Sequence, residues 1–283
     1  MKGAIAMEKF KLCAFADEAD PSISGQIQAL KENGISNIEL RGVDGKNVMD
    51  VTLQEMRQLR ARFDGEGIRV WSIGSPIGKI EMQDDFNKHC DLFRHGLELA
   101  QIAGAGNMRI FSFFMDEGRE DNYKNEVIDR MGKLGEIAKD SGIVLCHENE
   151  KGIYGSTPER CIDIHKAVPA IRGVFDPANF VQVGVDTLKA WDLLEPYITY
   201  MHIKDADKEM VIVPAGEGIG NVPELLARYS SIGGKVITLE PHLAEFVGLA
   251  GLERAGETST IGNRFGSKRE AFDFGVNALK ALL

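Results

Sequence analysis

The sequence has no long apolar run and only a few cysteines. No stretch approaches the ~20 consecutive apolar residues that a membrane-spanning helix needs, so a membrane protein is not expected. The four cysteines, Cys13, Cys90, Cys146 and Cys161, form no Cys-x-x-Cys pair. This pattern favours buried, reduced thiols and a cytoplasmic location rather than a disulfide framework or a cysteine-based metal site.

Positive charge is also in short supply. The chain has 33 Lys and Arg against 43 Asp and Glu, a formal net charge of −10 and a pI near 5.2. Such a chain has no general attraction for nucleic acid or anionic lipid, so neither is an expected partner. Its 283 residues, 43% of them hydrophobic, predict a single domain over 1–283, with 1–8 as a disordered leader. Whether the chain forms a homo-oligomer is left open.

What the chain does have is a recurring phrase, in which a helical pattern is followed by glycine and then by a β-rich run. Glycine commonly ends a helix because it adopts left-handed backbone angles. Strands that alternate with helices indicate a parallel sheet. Strands are predicted at 10–16, 37–41, 69–74, 107–113, 143–148, 171–175, 198–203 and 236–240. Helices are predicted near 22–33, 52–65, 84–103, 122–140, 157–167, 187–194, 221–230 and 267–282.

Eight strands alternating with eight helices predict an α/β fold, namely a single (β/α)8 TIM barrel, which uses about 250 residues. An open doubly wound sheet would want a glycine-rich phosphate turn after the first strand, but residues 16–21 there are acidic. The longest loops follow strands 7 and 8, at 205–220 and 241–266, and loops of this length are usually functional. Phe246, Leu249 and Leu252 in the second loop predict a short lid helix or a subunit contact.

Four residues that suit a metal ion end four successive strands: Glu148, Asp176, His202 and Glu240. The steps between them, 28, 26 and 38 residues, are each about one βα unit, so the four side chains should converge at the mouth of the barrel. Carboxylate and imidazole donors there could hold one divalent cation. Taken singly, each residue has an ordinary alternative, such as an ion pair, a core histidine or a turn.

Strand alternation gives a test of this arrangement, because every second side chain points into the barrel. The four candidate ligands should therefore share the interior with the residues two positions before them. His147 and Leu145 should instead face the helices. The predicted inward set is Val144, Cys146, Val174, Tyr200, Lys204 and Thr238.

The strand ends resemble a known family. Leu145-Cys-His-Glu148-Asn, Phe175-Asp176, Tyr200-Met-His202-Ile-Lys204-Asp205 and Leu239-Glu240-Pro-His are similar to the xylose isomerase-like TIM-barrel superfamily. That superfamily includes ketose 3-epimerases, hydroxypyruvate isomerases and inosose dehydratases. The resemblance extends over nearly the whole chain, including Ile38-Glu39-Leu40 and Gly216-Glu217-Gly218.

The resemblance implies an enzyme that uses one divalent metal ion, Mn, Mg, Co or Zn, held by Glu148, Asp176, His202 and Glu240. It also implies that Glu148 and Glu240 serve as the acid/base pair of a sugar or sugar-phosphate isomerase or epimerase. Such an enzyme moves a proton next to a carbonyl through an enediolate, which a divalent cation stabilises.

Five further residues are candidates for substrate binding, each with a plainer alternative. Lys204 could contact the substrate or be a solvated loop lysine. Arg41 could grip a substrate group or form an ion pair with Asp17 or Glu39. Lys79 could meet an anionic group, although a surface turn is the favoured interpretation of Ser75–Lys79.

Arg109 should point inward and needs a partner such as Glu39. Glu217 could approach the substrate or cap the following helix. The histidines on predicted helices, His89, His95 and His165, are expected at the surface, while His242 lies near the site without an assigned role.

Three rival functions remain. An inosose-dehydratase-like lyase would use the same metal site. An abasic-site endonuclease of the endonuclease IV type would carry a histidine three residues after Asp176 to hold a three-zinc cluster, but that position is Asn179. A non-catalytic sugar-binding barrel is the third possibility.

Overall fold

The computed structural model describes residues 10–116, 118–247, 254 and 265–283. In this part of the chain, eight parallel strands form one closed barrel, in which each strand pairs with the next and the last pairs with the first. Each strand lies inside its predicted range, so the predicted (β/α)8 barrel is confirmed. The strands are β1 (Lys11–Ala14), β2 (Asn37–Leu40), β3 (Arg69–Ile73), β4 (Asn107–Ile110), β5 (Val144–Glu148), β6 (Arg172–Phe175), β7 (Ile198–Ile203) and β8 (Val236–Leu239).

Nine α-helices surround the barrel in the described residues, and eight of them occupy the predicted positions. Their starts follow familiar capping rules: Thr52 and Glu55 form a reciprocal capping box, and Ser22 caps the first helix through its side chain. The helices are α1 (Ile23–Glu32), α2 (Leu53–Gly65), α3 (Phe86–Ala103), α4 (Glu120–Ala138), α5 (Pro158–Ala167), α6 (Pro177–Gln182), α7 (Thr187–Leu194), α8 (Val222–Ser231) and α9 (Lys268–Lys280).

The short helix α6 was not predicted. It begins immediately after Asp176, whose carboxylate accepts a hydrogen bond from the Asn179 N–H at 2.9 Å, and Pro177 occupies its first position. An aspartate followed by proline is a helix start as well as a turn signal. Of the ordinary alternatives to a metal ligand, a turn at Asp176 is therefore replaced by the start of a helix.

The barrel interior is built in layers. Its lower layer consists of five buried side chains, Cys13, Cys146, Val174, Tyr200 and Val236, with Trp71 packed against them. The candidate ligands stand nearer the carboxyl ends of the same strands. Outside the barrel, the ring of His147 lies 6.0 Å from that of His165 on α5, so the predicted alternation along β5 is confirmed.

Two small hairpins extend the loops at the mouth, one pairing Gly42–Val43 with Lys46–Asn47 and the other pairing Asp205–Ala206 with Ile212–Val213. None of the helices in the described ranges has the length and hydropathy of a membrane span. The predicted leader at 1–8 lies outside the described residues, as do Leu249 and Leu252. Phe246 is described and is buried.

Candidate metal centre

The structure brings the four residues that end β5 to β8 into one buried cluster. One ligand atom from each of Glu148, Asp176, His202 and Glu240 lies within 4.8 Å of the others. None of the four side chains is more than 3% exposed. We call these four residues the upper layer, because each lies beyond the lower layer toward the carboxyl end of its strand.

The imidazole of His202 is at the centre of the upper layer. Its Nδ1 atom lies 2.9 Å from Glu148 Oε1 and 3.2 Å from Glu240 Oε2. Phe15 and Tyr200 meet the ring edge-on, with centroids 5.1 Å and 5.5 Å away. The ring is therefore held with Nδ1 directed at the two glutamates.

Asp176 is fixed by the chain around it. Its backbone exchanges two hydrogen bonds with the side chain of Asn149, both 2.9 Å long. One carboxylate oxygen caps α6, which leaves Oδ2 facing the cluster. Asn179 also contacts Glu148, with its amide nitrogen 3.4 Å from Oε1.

The donor set fits a divalent cation. One oxygen each of Glu148, Asp176 and Glu240 is buried without a hydrogen-bond donor in bonding geometry, which is costly unless another group satisfies it. Carboxylate oxygens and an imidazole nitrogen are ligands common to zinc, manganese and magnesium sites, and close packing of acidic groups favours a positive ion.

Two cations on the barrel wall also face these carboxylates. Arg109 Nη1 lies 3.2 Å from Glu148 Oε2 and 3.8 Å from Glu240 Oε1, and Lys204 Nζ lies 3.0 Å from Asp176 Oδ2. Arg109 points inward as predicted, but its direct ion-pair partners are Glu148 and Glu240 rather than Glu39. Lys204 is buried, so its interpretation as a solvated loop lysine was wrong.

Arg41 occupies the β1 side of the mouth. It donates to both oxygens of Asp17 (2.9 and 3.1 Å), to Glu18 (3.0 Å) and to Glu240 (2.8 Å). The rings of Phe15 and Phe246 sandwich the guanidinium, with centroids 4.3 Å and 4.4 Å away. The ion pair with Asp17, one of the two predicted alternatives, is present.

A second acidic group adjoins the first and shares one of its members. Ligand atoms of Glu18, Glu240 and His242 also lie within 4.8 Å of one another. Arg41 already contacts both glutamates there, so its positive charge offsets part of the negative charge of this group. The sequence did not identify Glu18, because nothing in its local pattern shows that this glutamate, in a single 3-10 turn after β1, accepts the N–H of His242 beyond β8.

Burial and charge shift the carboxylates in opposite directions. Burial raises the pKa of Asp176 to about 7, against the opposing charge of Lys204. Burial also acts to raise the pKa of Glu240, but Lys204 and His242 outweigh it and hold that pKa well below its usual range. Two carboxylates in one site thus differ in how readily they hold a proton.

His202 behaves as the positive member of the cluster. Burial would lower its pKa, but the charges of Glu148 and Glu39 raise it well above its usual value. In the absence of a metal, these charges favour the imidazolium form, whose two N–H groups face carboxylates on both sides of the ring. A cation that binds here must displace the proton on Nδ1.

Lys79 and Glu217 are not members of the upper layer, although the charge of Glu148 acts on Lys79. The side chain of Lys79 is 4% exposed, with Nζ 3.2 Å from Glu150 and 4.4 Å from the ring of Phe111. The expected turn is present at 77–78, but the expected surface position of this side chain was wrong. Glu217 is exposed. The glycines on either side of it donate their N–H groups to the buried carboxylate of Asp205.

Two helix histidines expected at the surface are buried instead. His89 on α3 accepts the Gly78 N–H at 2.8 Å, and His165 on α5 stacks on Tyr197. Burial lowers the pKa of each to about 4. Both are neutral structural residues of the helix layer, and their position on a helix did not reveal which face they occupy.

A protein-family model matches most of the chain and identifies the family. The model for the xylose isomerase-like TIM barrel matches residues 27–258. The chain belongs to the xylose isomerase-like TIM barrel family. No curated protein matches its sequence.

Solved structures of this fold superpose on nearly the whole chain. They include the IolI protein with a bound zinc atom (16% identity, 96% of this chain and 97% of that one, TM-score 0.75) and a D-tagatose 3-epimerase-like protein (17%, 96% and 96%, 0.70). A probable 3-DHS dehydratase, AsbF from Bacillus anthracis, is another (18%, 97% and 98%, 0.71). At these identities the likeness establishes the fold alone.

Proposed function

We propose that this member of the xylose isomerase-like family is a divalent-metal-dependent isomerase or epimerase that acts on a sugar or a sugar phosphate. It would move a proton next to a carbonyl through an enediolate. The carrying observation is the convergence of Glu148, Asp176, His202 and Glu240 in one buried cluster at the carboxyl ends of four strands. Active sites of this fold form at that end of the barrel.

These four residues would hold the ion, whose identity is open among Mn, Mg, Co and Zn. The ion would polarise the substrate carbonyl and stabilise the negative charge that develops on its oxygen. Three carboxylates around a 2+ charge leave about one unit of negative charge. Lys204 and Arg109, which already touch the upper layer, would offset it.

The acid/base roles fall to the two glutamates. Oxygens of Glu148 and Glu240 lie 2.9 Å and 3.2 Å from His202 Nδ1, and one carboxylate would remove a proton from the substrate while the other returns one. Arg109 holds Glu148, and Arg41 holds Glu240 through a 2.8 Å hydrogen bond. Both arginines would keep these carboxylates in place between proton transfers.

The residues that contact the substrate are also proposed from their positions. Lys204 is the strongest candidate, since its ammonium stands in the upper layer itself, 3.7 Å from Glu240. The donors of Arg41 are all directed at carboxylates, and those of Arg109 at carboxylates and at the backbone carbonyls of Ser75 and Gly74. Both arginines are therefore better suited to holding the glutamates than to gripping the substrate. Lys79 and Glu217 stay predictions.

A lyase is the second candidate, favoured by the likeness to a probable dehydratase. The same base would remove the proton and the substrate would then lose water from the β carbon. Isomerisation conserves mass and dehydration does not, so product mass separates the two reactions.

The test is a proton-exchange screen with metal-loaded protein in heavy water over ketoses, ketose phosphates and inososes. We expect solvent deuterium to enter at least one substrate next to its carbonyl, as seen by NMR, with product mass changed only by that exchange. Glu148→Gln should slow exchange by about 10²-fold to 10⁴-fold, the usual contribution of a general base. Glu224→Gln, on the surface of α8, is the matched control and should leave exchange unchanged.

Other outcomes would contradict this proposal. A product lighter by one water would indicate the lyase, and repeated cleavage of abasic duplex DNA would indicate an endonuclease. Sugar binding without any exchange, unchanged in Glu148→Gln, would indicate a non-catalytic binding barrel.

A further inference from the structure

A fourth buried carboxylate lies on the far side of the His202 ring. Glu39, on β2, is completely buried, and its Oε2 atom lies 3.1 Å from His202 Nε2. Its other oxygen accepts hydrogen bonds from the hydroxyl of Tyr200 at 2.7 Å and from that of Ser72 at 3.2 Å. Glu39 is absent from the group of four candidate ligands.

The two nitrogens of His202 therefore face different partners. Nδ1 is directed at Glu148 and Glu240, where a cation would bind, and Nε2 is directed at Glu39. An imidazole that ligates a metal through Nδ1 must carry its proton on Nε2, and that N–H needs an acceptor when it is buried. Glu39 Oε2 is the carboxylate oxygen at that distance.

We propose that Glu39 is a positioning residue, which accepts the Nε2 proton of His202 and so presents the Nδ1 lone pair to the metal. This inference rests on the proposed function only in requiring that the upper layer binds a metal. A carboxylate behind a ligating histidine fixes its tautomer and makes it a stronger ligand. A neutral acceptor would also fix the tautomer of the histidine, but it would strengthen the histidine less as a metal ligand.

The barrel is built locally to hold this carboxylate. Pairing of β2 with β3 shifts between Ile38 and Glu39, so that Ile38 pairs with Val70 but Glu39 pairs with Ser72. The extra residue, Trp71, makes an irregularity of the kind that re-aims side chains near functional sites. Ser72 is thereby placed to donate to Glu39.

Tyr200 holds the carboxylate from below. Its hydroxyl is the closest donor to Glu39, and Ser72 Oγ lies 3.4 Å from the same hydroxyl. With one oxygen of Glu39 saturated by two hydroxyls, the other oxygen is left for His202. The network thus orients the carboxylate that orients the imidazole.

The experiment measures zinc affinity by competition with a chelator in the full-length protein, wild type against Glu39→Gln. We expect zinc to bind the variant about 10-fold to 100-fold more weakly, the usual effect of losing such a partner. Tyr200→Phe, which keeps the charge but removes one donor, should weaken zinc binding by less. If Glu39→Gln folds poorly, the zinc affinity of Tyr200→Phe still tests the role of Glu39.

Asp205→Asn is the matched control. Asp205 is likewise a buried carboxylate, but it accepts hydrogen bonds from the backbone N–H groups of Ala206, Gly216, Gly218 and Gly220. The same carboxylate-to-amide change there should leave zinc affinity at the wild-type value, even where it lowers thermal stability. A loss of affinity equal to that of Glu39→Gln would show that any buried carboxylate has this effect.

The imidazole itself gives a second readout. In zinc-loaded protein with ¹⁵N-labelled histidine, the resonances missing from His202→Asn should show Nε2 protonated and Nδ1 bound to zinc. Zinc on Nε2, or wild-type zinc affinity in Glu39→Gln, would overturn the proposal for Glu39 alone. A wild-type protein that binds no zinc, manganese, cobalt or magnesium would instead overturn the proposed function.

Discussion

On β5, β6 and β7 the lower and upper layers of the barrel are two residues apart, yet they are opposite in chemistry. The lower layer is a cluster in which Cys146, Val174 and Tyr200 pack together, while the next inward positions hold Glu148, Asp176 and His202. Both layers are equally buried. Burial of the first lowers the free energy of the folded state, whereas burial of the second removes charges from water at a cost.

The comparison shows that the upper layer is the part of the barrel where charged groups are buried at a cost in folding free energy. Four carboxylates, counting Glu39, surround one imidazole in a space closed to solvent. Hydrophobic side chains of similar volume would often be at least as stable there. We attribute the arrangement, which costs folding free energy, to binding of an ion. Removing a side chain should therefore lower the free energy of unfolding in the lower layer, and removing a charge should raise it in the metal-free upper layer.

The largest expected effect comes from the metal. Zinc or manganese at about a thousand times its Kd should raise the free energy of unfolding by about 4 kcal/mol, because the ion binds only the folded centre. Thermal unfolding with and without metal measures this. In Asp176→Asn the metal should no longer raise the free energy of unfolding. A wild-type Tm that does not change with metal would contradict the proposal that the upper layer, unlike the lower one, is stabilised by an ion.

A substitution in the lower layer should act on stability alone. Val174→Ala deletes buried methyl groups and should lower the free energy of unfolding by about 2 kcal/mol. Denaturant unfolding measures the loss, and chelator competition measures zinc affinity in the same variant. We expect the affinity to stay unchanged; a large drop would mean that the two layers are coupled.

Metal affinity should rise with pH. Asp176 and His202 both have raised pKa values in the metal-free protein, that of Asp176 about 7, so below pH 7 the ion must displace their protons. Each displaced proton weakens binding about tenfold per pH unit. Titrations between pH 5.5 and 7.5 check the slope; an affinity independent of pH would exclude these two residues as ligands.

A substitution in the upper layer should change the free energy of unfolding in the opposite direction to Val174→Ala. Above pH 7 the buried Asp176 must ionise, and a carboxyl with a raised pKa destabilises the folded state once it is charged. Asp176→Asn keeps a side-chain oxygen to cap α6 and should stabilise the metal-free protein at pH 8 by roughly 1 kcal/mol, or about 2 °C in Tm. The gain should shrink as the pH falls from 8 to 5 and vanish only below about pH 4, where this aspartic acid is neutral in both the folded and the unfolded chain.

Much of this fold could be predicted from local sequence. At four places a glycine ends a helix and a β-rich run follows it, and these signals lie within a few neighbouring residues. The four residues of the upper layer followed from the same periodicity, since each ends a strand and parallel strands end at one rim. The structure brings Glu148 and Glu240 together although 92 residues separate them.

What could not be predicted depends on closure of the barrel. Glu39 meets His202 only because closure of the barrel brings β2 and β7 together across the interior, and the extra residue in β3 decides that Ser72 pairs with Glu39. Burial of His165 depends on which face of α5 packs against the barrel, and burial of Lys79 depends on the neighbouring Glu150. Such contacts are long-range and leave no local pattern.

The most direct test is the metal content of the purified chain and of four single variants, Glu148→Gln, Asp176→Asn, His202→Asn and Glu240→Gln. Elemental analysis after dialysis against manganese, and again against zinc, should find one ion per chain in the wild type and a strongly reduced content in each variant. A wild-type chain that retains no divalent ion, or variants that all retain it as the wild type does, would contradict the account.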